Sequence, residues 1–346
     1  MPTPGHEQSG EKLEKLHEKP IPEAESAILS AFNRRDWKTI PIAETVTETP
    51  KTLQVIPNTP DVGRAMAWPA YYKTVSEENA GNGVRTGFGE LAENIQNELQ
   101  TSPLVKVRPK VAQILDQAQQ ILDANPETAH LQLVVVDGYR TIEVQRRLFK
   151  EYRAYLVNEN PGMGNDELDN LAQQMVSMPP EDLEKLRTCP PPHSTGGAVD
   201  VILVEKSKID ITSDYWVRKA MINFGAYFDE MMHPVYKDVR SFTRFDERNP
   251  EDVEARENRR LLYNLMTGVG FTNYPYEFWH YDFENQFYAL NKGLNSAEFG
   301  FAGGLENGKI VEDLRAEEEA FQTYKTTQSL TDETAKRLRH HFGLSS

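Results

Sequence analysis

Two short segments about eighty residues apart carry side chains that together can perform hydrolytic chemistry. The first segment contains His193 and Asp200, and the second contains Glu277 and His280. Two imidazoles and a carboxylate make three ligands for a zinc ion whose fourth position stays open to water. A hydrolytic centre also needs a base to deprotonate that water. The pattern therefore indicates a zinc site with His193, Asp200 and His280 as ligands, and it leaves Glu277 free to act as the base.

The spacing within the first segment permits two interpretations. His193 and Asp200 are seven positions apart, which places them on opposite faces of an uninterrupted strand. Gly196 and Gly197 lie between them and permit a sharp bend or a bulge. The alternative is a glycine turn leading into a strand, with both polar side chains hydrogen-bonded to each other or to backbone. The prolines at 190–192 predict a stiff, extended approach to the histidine.

The second segment is less specific when taken alone. Glu277 and His280 would share a face in one turn of helix but not in a strand, so their local geometry stays open. An aromatic-rich segment with one histidine is most often part of a core. Cys189, four positions before His193, is a further candidate ligand that the sequence does not favour.

An arginine follows a predicted buried strand in the run Asp137-Gly138-Tyr139-Arg140. A fixed guanidinium at this position could stabilise the oxyanion that forms when water attacks a carbonyl group. The alternative is an ordinary surface arginine on a turn.

Hydrophobic periodicity predicts the elements around these segments. Apolar residues at helical spacing predict helices over 109–123, over the segment containing residues 148–156, and through 261–266. Continuous apolar runs predict buried strands at 131–136 and 199–204.

Bulk properties exclude several classes of function. The 346-residue chain carries a net charge of −15, which argues against binding nucleic acid or an anionic membrane surface. Its apolar runs are far shorter than the roughly 18 residues of a membrane span. No signal sequence is evident, and a single cysteine rules out an internal disulfide framework. We therefore expect a cytoplasmic protein.

Composition divides the chain into four parts. We predict a polar tail over 1–25, an extension over 26–104 that wraps the core, a domain over 105–290 that carries the zinc site and a helical C-terminal tail over 291–346. Residues 158–188 look inserted into the domain, either as decoration or as a lid.

The site residues resemble the D-alanyl-D-alanine dipeptidases linked to vancomycin resistance, within the larger group of zinc D-Ala-D-Ala peptidases. The family pattern is Ser-x-His-x-x-Gly-x-Ala-x-Asp followed later by Glu-x-Trp-His. The resemblance covers roughly residues 105–285, and Pro191 stands where the family has serine. The matching positions are His193, Gly196, Ala198, Asp200, Glu277, Trp279, His280 and the Asp137–Arg140 turn.

The resemblance implies an α+β fold in which a small antiparallel sheet carries the zinc ligands and helices flank it, as in Hedgehog/DD-peptidase-like domains. It also implies one Zn²⁺ per chain. Phe228-Asp229 resembles a Phe-Asp pair of the family, so the resemblance implies that Asp229 receives the free ammonium of the substrate. A further family stretch is matched by Asn258-Arg259-Arg260.

The resulting hypothesis is a zinc-dependent dipeptidase that acts on D-Ala-D-Ala or a similar small peptide, with Glu277 and Arg140 as catalytic residues. The alternative within enzymes is a D,D- or L,D-carboxypeptidase or endopeptidase on cell-wall peptides. A zinc-stabilised binding module is the alternative outside enzymes, and it would need neither catalytic residue. The oligomeric state is not predicted.

Overall fold

The computed structural model describes residues 37–43, 54–55, 105–180, 182–209, 216–226, 246–306 and 309–311. Among the residues described, no helix is long and apolar enough to cross a membrane.

A four-stranded antiparallel sheet forms the centre of the described structure. Its strands are β3 (Leu131–Asp137), β4 (Ala198–Glu205), β5 (Thr272–Asn273) and β6 (His280–Asp282), arranged in the order β3-β4-β6-β5. The two long strands pair from Leu131 opposite Glu205 down to the end of β3, where the register shifts by a bulge. The small antiparallel sheet of the predicted α+β fold is therefore confirmed.

Helices cover this sheet, and β3 and β4 are therefore buried along almost their whole length. Helix α1 (Pro109–Ala124) begins with a proline at its first position, where the missing N–H is not needed. It packs against β3 through one apolar stripe. The buried members of the stripe are Val111, Ile114, Leu115, Ala118 and Leu122.

Side-chain caps set where the other long helices begin. Thr141 accepts a hydrogen bond from the backbone N–H of Val144 at the start of α2 (Ile142–Glu159). Asn249 caps the helix that runs from Pro250 to Gly268 by accepting from the N–H of Glu251. Each cap satisfies an N–H group that the first turn of a helix leaves unpaired.

The shorter elements surround this core. In chain order the remaining helices are α3 (Asn165–Met175), α4 (Leu183–Thr188), α5 (Trp216–Ala220), α6 (the Pro250–Gly268 helix) and α7 (Gln286–Lys292), with 3₁₀ turns at Trp37–Thr39, His193–Thr195 and Lys206–Lys208. Strands β1 (Gln54–Val55) and β2 (Lys106–Val107) pair antiparallel, as do β7 (Gly304–Glu306) and β8 (Lys309–Val311).

Helices α3 and α4 occupy the segment predicted as an insertion. Most of the predicted 291–346 tail and most of the 26–104 extension lie outside the described residues, so the predicted domain boundaries stay predictions. The described part of the tail contains the end of α7 and then strands β7 and β8. Within the described part, residues 37–43 pack beside α7, where Trp37 stacks on Phe287 with ring centroids 4.4 Å apart. Backbone hydrogen bonds also join Pro41 and Ala43 to Ala297.

One glycine is required by close packing where the chain enters β4. A Cβ atom added at Gly197 would lie 2.5 Å from the carbonyl oxygen of Phe283 and 2.8 Å from the ring of Phe299. The backbone oxygen cannot move without disturbing the hydrogen bond that Phe283 N–H donates to the Gly197 carbonyl. At Gly197 the chain therefore approaches Phe283, the residue that follows β6, more closely than any side chain allows.

We expect Gly197→Ala to lower the free energy of unfolding by about 1–3 kcal/mol, the usual cost of overpacking a filled core. Urea unfolding followed by circular dichroism would measure it. Gly268→Ala is the matched control, because a Cβ there meets nothing within 4 Å. Equal unfolding midpoints for the two variants would contradict the close-packing argument.

Candidate metal centre and active site

A short 3₁₀ turn, His193–Thr195, carries the first candidate ligand. Gly196 ends the turn in the left-handed region at φ 69°, which glycine adopts without strain, and the chain then enters β4. The predicted bend between His193 and Asp200 is therefore present. The predicted extended approach is wrong at Pro192, which has helical dihedrals (φ −51°, ψ −50°) and joins the turn instead.

A buried arginine from outside the turn holds it in place. Arg108 donates from Nε to the Thr195 carbonyl at 2.6 Å and from a terminal nitrogen to the Gly300 carbonyl at 2.9 Å. Its guanidinium also lies 4.4 Å from the centre of the Phe299 ring. These contacts tie the His193 turn to two chain segments that are distant in sequence.

The other two candidate ligands lie side by side on neighbouring strands. Asp200 of β4 pairs directly with His280 of β6. Cross-strand partners project from the same face of a sheet. A tight turn precedes His280, whose N–H donates to the Glu277 carbonyl at 3.3 Å. The turn resolves the geometry left open by the sequence, because it places Glu277 and His280 at one site although β6 begins only at His280.

The structure brings together the three predicted ligands. Nε2 of His193 lies 3.2 Å from Nδ1 of His280. The carboxylate of Asp200 lies 2.9 Å from His280 Nδ1 and 3.5 Å from His193 Nε2. All three side chains are buried. Within the part of the chain that the structure describes, this is the one cluster of such side chains arranged to hold a metal ion, and Cys189 is not in it.

The outer nitrogens of both rings determine what their inner nitrogens can do. His193 donates from Nδ1 to the Gly138 carbonyl at 2.8 Å, and His280 donates from Nε2 to Oδ1 of Asp282 at 3.3 Å. In the neutral rings both inner nitrogens then carry lone pairs, which face each other and a carboxylate. Such a donor set fits a cation, and nitrogens bound to one tetrahedral zinc ion lie roughly 3.3 Å apart.

The charges around the site favour a cation in the same way. Burial opposes a charge on His280, but the carboxylates of Asp282 and Asp200 outweigh it and raise the pKa of this imidazole well above its ordinary value. Burial also opposes a charge on Asp200, yet the His193 and His280 rings hold the pKa of that carboxyl well below its usual range. A proton and a metal ion therefore compete for the same inner nitrogen.

Glu277 lies beside the cluster with its carboxylate 3.9 Å from Nδ1 of His280. Burial, and next the charge of Asp200, raise the pKa of Glu277 to about 8, against the opposing effect of His280 and Arg140. A cation held by the three ligands would bring this pKa closer to neutrality. A carboxylate in that range can accept a proton and then release it.

The side chain of Arg140 is held by two neighbouring side chains. It donates from Nε and from one terminal nitrogen to Oδ2 of Asp137, at 3.1 and 2.5 Å, and from the other terminal nitrogen to Gln145 at 2.9 Å. Its backbone N–H donates to the His193 carbonyl at 3.2 Å. The guanidinium is thus held by directed hydrogen bonds, and its side chain is only 13% exposed.

The predicted substrate residue Asp229 lies outside the described residues. The segment that leads toward it is secured up to Ala226, because Asn258 on α6 donates to the Asn223 carbonyl at 2.7 Å and Arg259 donates to the Phe224 carbonyl at 2.8 Å. These contacts use two of the three residues in the Asn258-Arg259-Arg260 stretch that the sequence singled out.

Sequence reasoning missed several residues that surround the site. Asp282 and Gln145 contact a ligand and the arginine, respectively. Tyr152 is the third. Burial is the main cause that raises the pKa of its hydroxyl to about 12, and the negative charge of Glu277 is the second, so the hydroxyl stays protonated. Asp282 stands two positions after His280 on one strand, and this spacing was the signal that could have found it. Gln145 and Tyr152 had none, because their spacing fits a buried helix face.

The fold and the buried site define a peptidase domain of α+β class. The sequence profile of the D-Ala-D-Ala dipeptidase family matches residues 92–295, which include the three candidate ligands, Glu277 and Arg140. A curated D-alanyl-D-alanine dipeptidase from Synechocystis sp. is 28% identical over 197 residues, covering 54% of this chain and 72% of the relative. The chain belongs to the D-Ala-D-Ala dipeptidase family and is a peptidase.

We expect Asp282→Asn to weaken metal binding by about 10- to 100-fold, the usual cost of removing a partner of a ligating histidine. The amide keeps the shape of the carboxyl but removes its charge from His280 Nε2. Competition with a chromophoric zinc chelator would measure the affinity.

Asp252→Asn is the control for that measurement, because Asp252 is also buried and accepts hydrogen bonds but belongs to the start of α6. It should leave metal affinity unchanged. Unaltered affinity in the Asp282 variant would show that this carboxylate does not support the site.

Proposed function

We propose that this peptidase is a zinc-dependent dipeptidase that hydrolyses D-Ala-D-Ala or a similar small dipeptide, with one zinc ion per chain. The observation that carries the proposal is the convergence of three buried ligand atoms, from His193, Asp200 and His280. A buried glutamate lies beside them, 3.9 Å from His280, and the domain also holds an arginine in a fixed orientation. A site that served only to hold a structural metal would need neither of these two residues.

Two imidazoles and one carboxylate are ligands that suit zinc, and three protein ligands leave a position for water. When bound there, the ion would lower the pKa of a coordinated water to about 7 and polarise the substrate carbonyl. His193 and His280 would hold it through their inner nitrogens, and Asp200 through its carboxylate.

The remaining residues have distinct proposed roles. Glu277 takes a proton from the attacking water as the water oxygen bonds to the carbonyl carbon. Arg140 donates hydrogen bonds to the oxyanion that develops on the carbonyl oxygen. When the C–N bond breaks, Glu277 returns its proton to the leaving amine. The cycle therefore leaves Glu277 ionised and ready for the next substrate.

The choice of a dipeptide rests on the family and on Asp229. The Synechocystis relative is described as a D-alanyl-D-alanine dipeptidase. A carboxylate that receives the free ammonium would select dipeptides, because an internal amide of a longer peptide carries no such charge. A small peptide is the partner proposed here, without nucleic acid or membrane. A cytoplasmic location, which the single cysteine supports, is also part of the proposal.

Metal analysis followed by a substrate panel would test this function. We expect one zinc per chain and rapid cleavage of D-Ala-D-Ala, with much slower cleavage of L-Ala-L-Ala. N-acetyl-D-Ala-D-Ala is the matched control, because it differs only in lacking the ammonium, and it should resist cleavage. A chelator should abolish activity and lower the melting temperature, since a ligand that binds only the folded state stabilises it.

Efficient cleavage of the N-acetylated dipeptide or of an N-acetylated tripeptide would overturn the dipeptidase assignment and favour the carboxypeptidase. Full activity of the metal-free protein would overturn the zinc assignment.

We expect Glu277→Gln to lower kcat by at least about 10²- to 10⁴-fold, the range contributed by general acid–base catalysis. Zinc content should stay at the wild-type value, because Glu277 is not one of the three ligands. Steady-state kinetics and metal analysis on the same preparation would establish both points.

Glu205→Gln, at the opposite end of β4 from the site and ion-paired with Lys208, serves as the control and should retain activity. Near-normal turnover of the Glu277 variant would rule out this residue as the base.

A further inference from the structure

A buried glutamine connects the active-site arginine to the segment that follows α3. Gln145 lies in the first turn of α2 and is only 2% exposed. Its side-chain oxygen accepts from a terminal nitrogen of Arg140 at 2.9 Å, and its side-chain nitrogen donates to the Ser177 carbonyl at 2.7 Å. One amide group therefore bridges two parts of the chain that are 37 positions apart.

The hydrogen bonds of Arg140 show why this bridge matters. A guanidinium has five N–H donors in one plane. Asp137 accepts from Nε and one terminal nitrogen, and Gln145 accepts from the other terminal nitrogen. Counted over the described residues, two N–H groups remain for a substrate oxygen. Asp137 binds one edge of the guanidinium plane, and Gln145 supplies the contact on the far side that fixes its orientation.

The Ser177 carbonyl determines which end of the amide faces the arginine. A carbonyl oxygen only accepts hydrogen bonds, so it selects the NH₂ end of the Gln145 side chain. The oxygen end must then point toward Arg140. A reversed amide would set NH₂ against the guanidinium, with donors facing donors, and would leave the Ser177 carbonyl unpaired in a partly buried position.

The segment that supplies this carbonyl is itself secured to the other side of the site. Tyr274 donates from its hydroxyl to the Gln174 carbonyl at 2.5 Å. The Tyr274 ring also packs edge-on against the His280 ring, with centroids 5.8 Å apart. The end of α3 is therefore held in a defined position relative to both the arginine and a candidate metal ligand.

We propose that Gln145 is a positioning residue for the reaction. It is held by the Ser177 carbonyl and in turn holds Arg140, so that two guanidinium N–H groups are oriented toward the oxyanion. This inference rests on the role given to Arg140 under the proposed function. It assigns the end of α3, within the segment that looked inserted, a part in catalysis without contact with the substrate.

The test is a double-mutant cycle between the two positions. Gln145→Met removes both hydrogen bonds at similar side-chain length, and Arg140→Ala removes the group that is positioned. We expect Arg140→Ala to lower kcat by about 10²- to 10³-fold. We expect Gln145→Met alone to lower kcat by about 10- to 100-fold with little change in KM, because the arginine acts on charge that forms in the transition state.

Adding Gln145→Met to the Arg140→Ala variant should change kcat no further, since the glutamine acts only through the arginine. Zinc content should equal that of the wild type in all three variants. Gln145→Asn, which keeps the amide but is one methylene too short to span both partners, provides a second variant and should give the same pattern.

Gln119→Met is the matched control. Gln119 is another buried bridging glutamine, bonded to the carbonyl of Leu131 and the N–H of Leu133, and it lies on α1 away from the arginine. It should lower thermal stability and leave kcat unchanged.

The outcomes separate this inference from the proposed function. Equal losses from Gln145→Met in the presence and absence of Arg140 would overturn the positioning role and indicate a purely structural one. Near-normal activity of Arg140→Ala itself would instead overturn the role proposed for the arginine. A rise in KM with unchanged kcat in the Gln145 variants would also contradict the inference.

Discussion

The arrangement on which the site depends is the fixing of two imidazole rings through their outer nitrogens. The Gly138 carbonyl holds one nitrogen of His193, and the Asp282 carboxylate holds one of His280. Each bond sets both the orientation of the ring and the nitrogen that carries its proton. The inner nitrogens are then left as acceptors beside Asp200. Acceptors crowded together in a buried site repel one another unless a cation or a proton lies between them. The site therefore strongly favours a bound positive charge.

Two kinds of structural element hold the three candidate ligands in place. Asp200 and His280 are placed by strand register, which the core on both sides of β4 makes hard to shift. His193 is placed by a turn, which is softer, and the turn is braced by Arg108 and by a backbone bond from Ala302 to the Ser194 carbonyl. This peptidase therefore combines a rigid pair of candidate ligands with a third candidate ligand whose position depends on distant segments.

The two side chains proposed to be catalytic, those of Glu277 and Arg140, differ in how their surroundings act on them. Burial makes the Glu277 carboxylate more basic, while Asp137 and Gln145 keep the Arg140 guanidinium in place through directed hydrogen bonds. Electrostatic stabilisation of a transition state is most effective when its donors need no reorganisation during the reaction. The proposed mechanism needs both properties: a base that can release its proton and an arginine that is held in place.

The sequence by itself determined the types of residue at the site and most of the long elements. His193, Asp200 and His280 were recognisable because their spacing, with Glu277, matches the motifs of a known family. Apolar runs revealed β3 and β4 because buried strands need them. Only the tertiary structure decided the contacts made by Asp282 and Gln145. The spacing of two residues places Asp282 on the same strand face as His280, but the hydrogen bond between them is seen only in the structure. Gln145 bonds to a carbonyl 32 positions away, and that contact leaves no periodic pattern in the chain. It also decided that Pro192 joins a helical turn, because a proline fixes φ but leaves ψ to its surroundings.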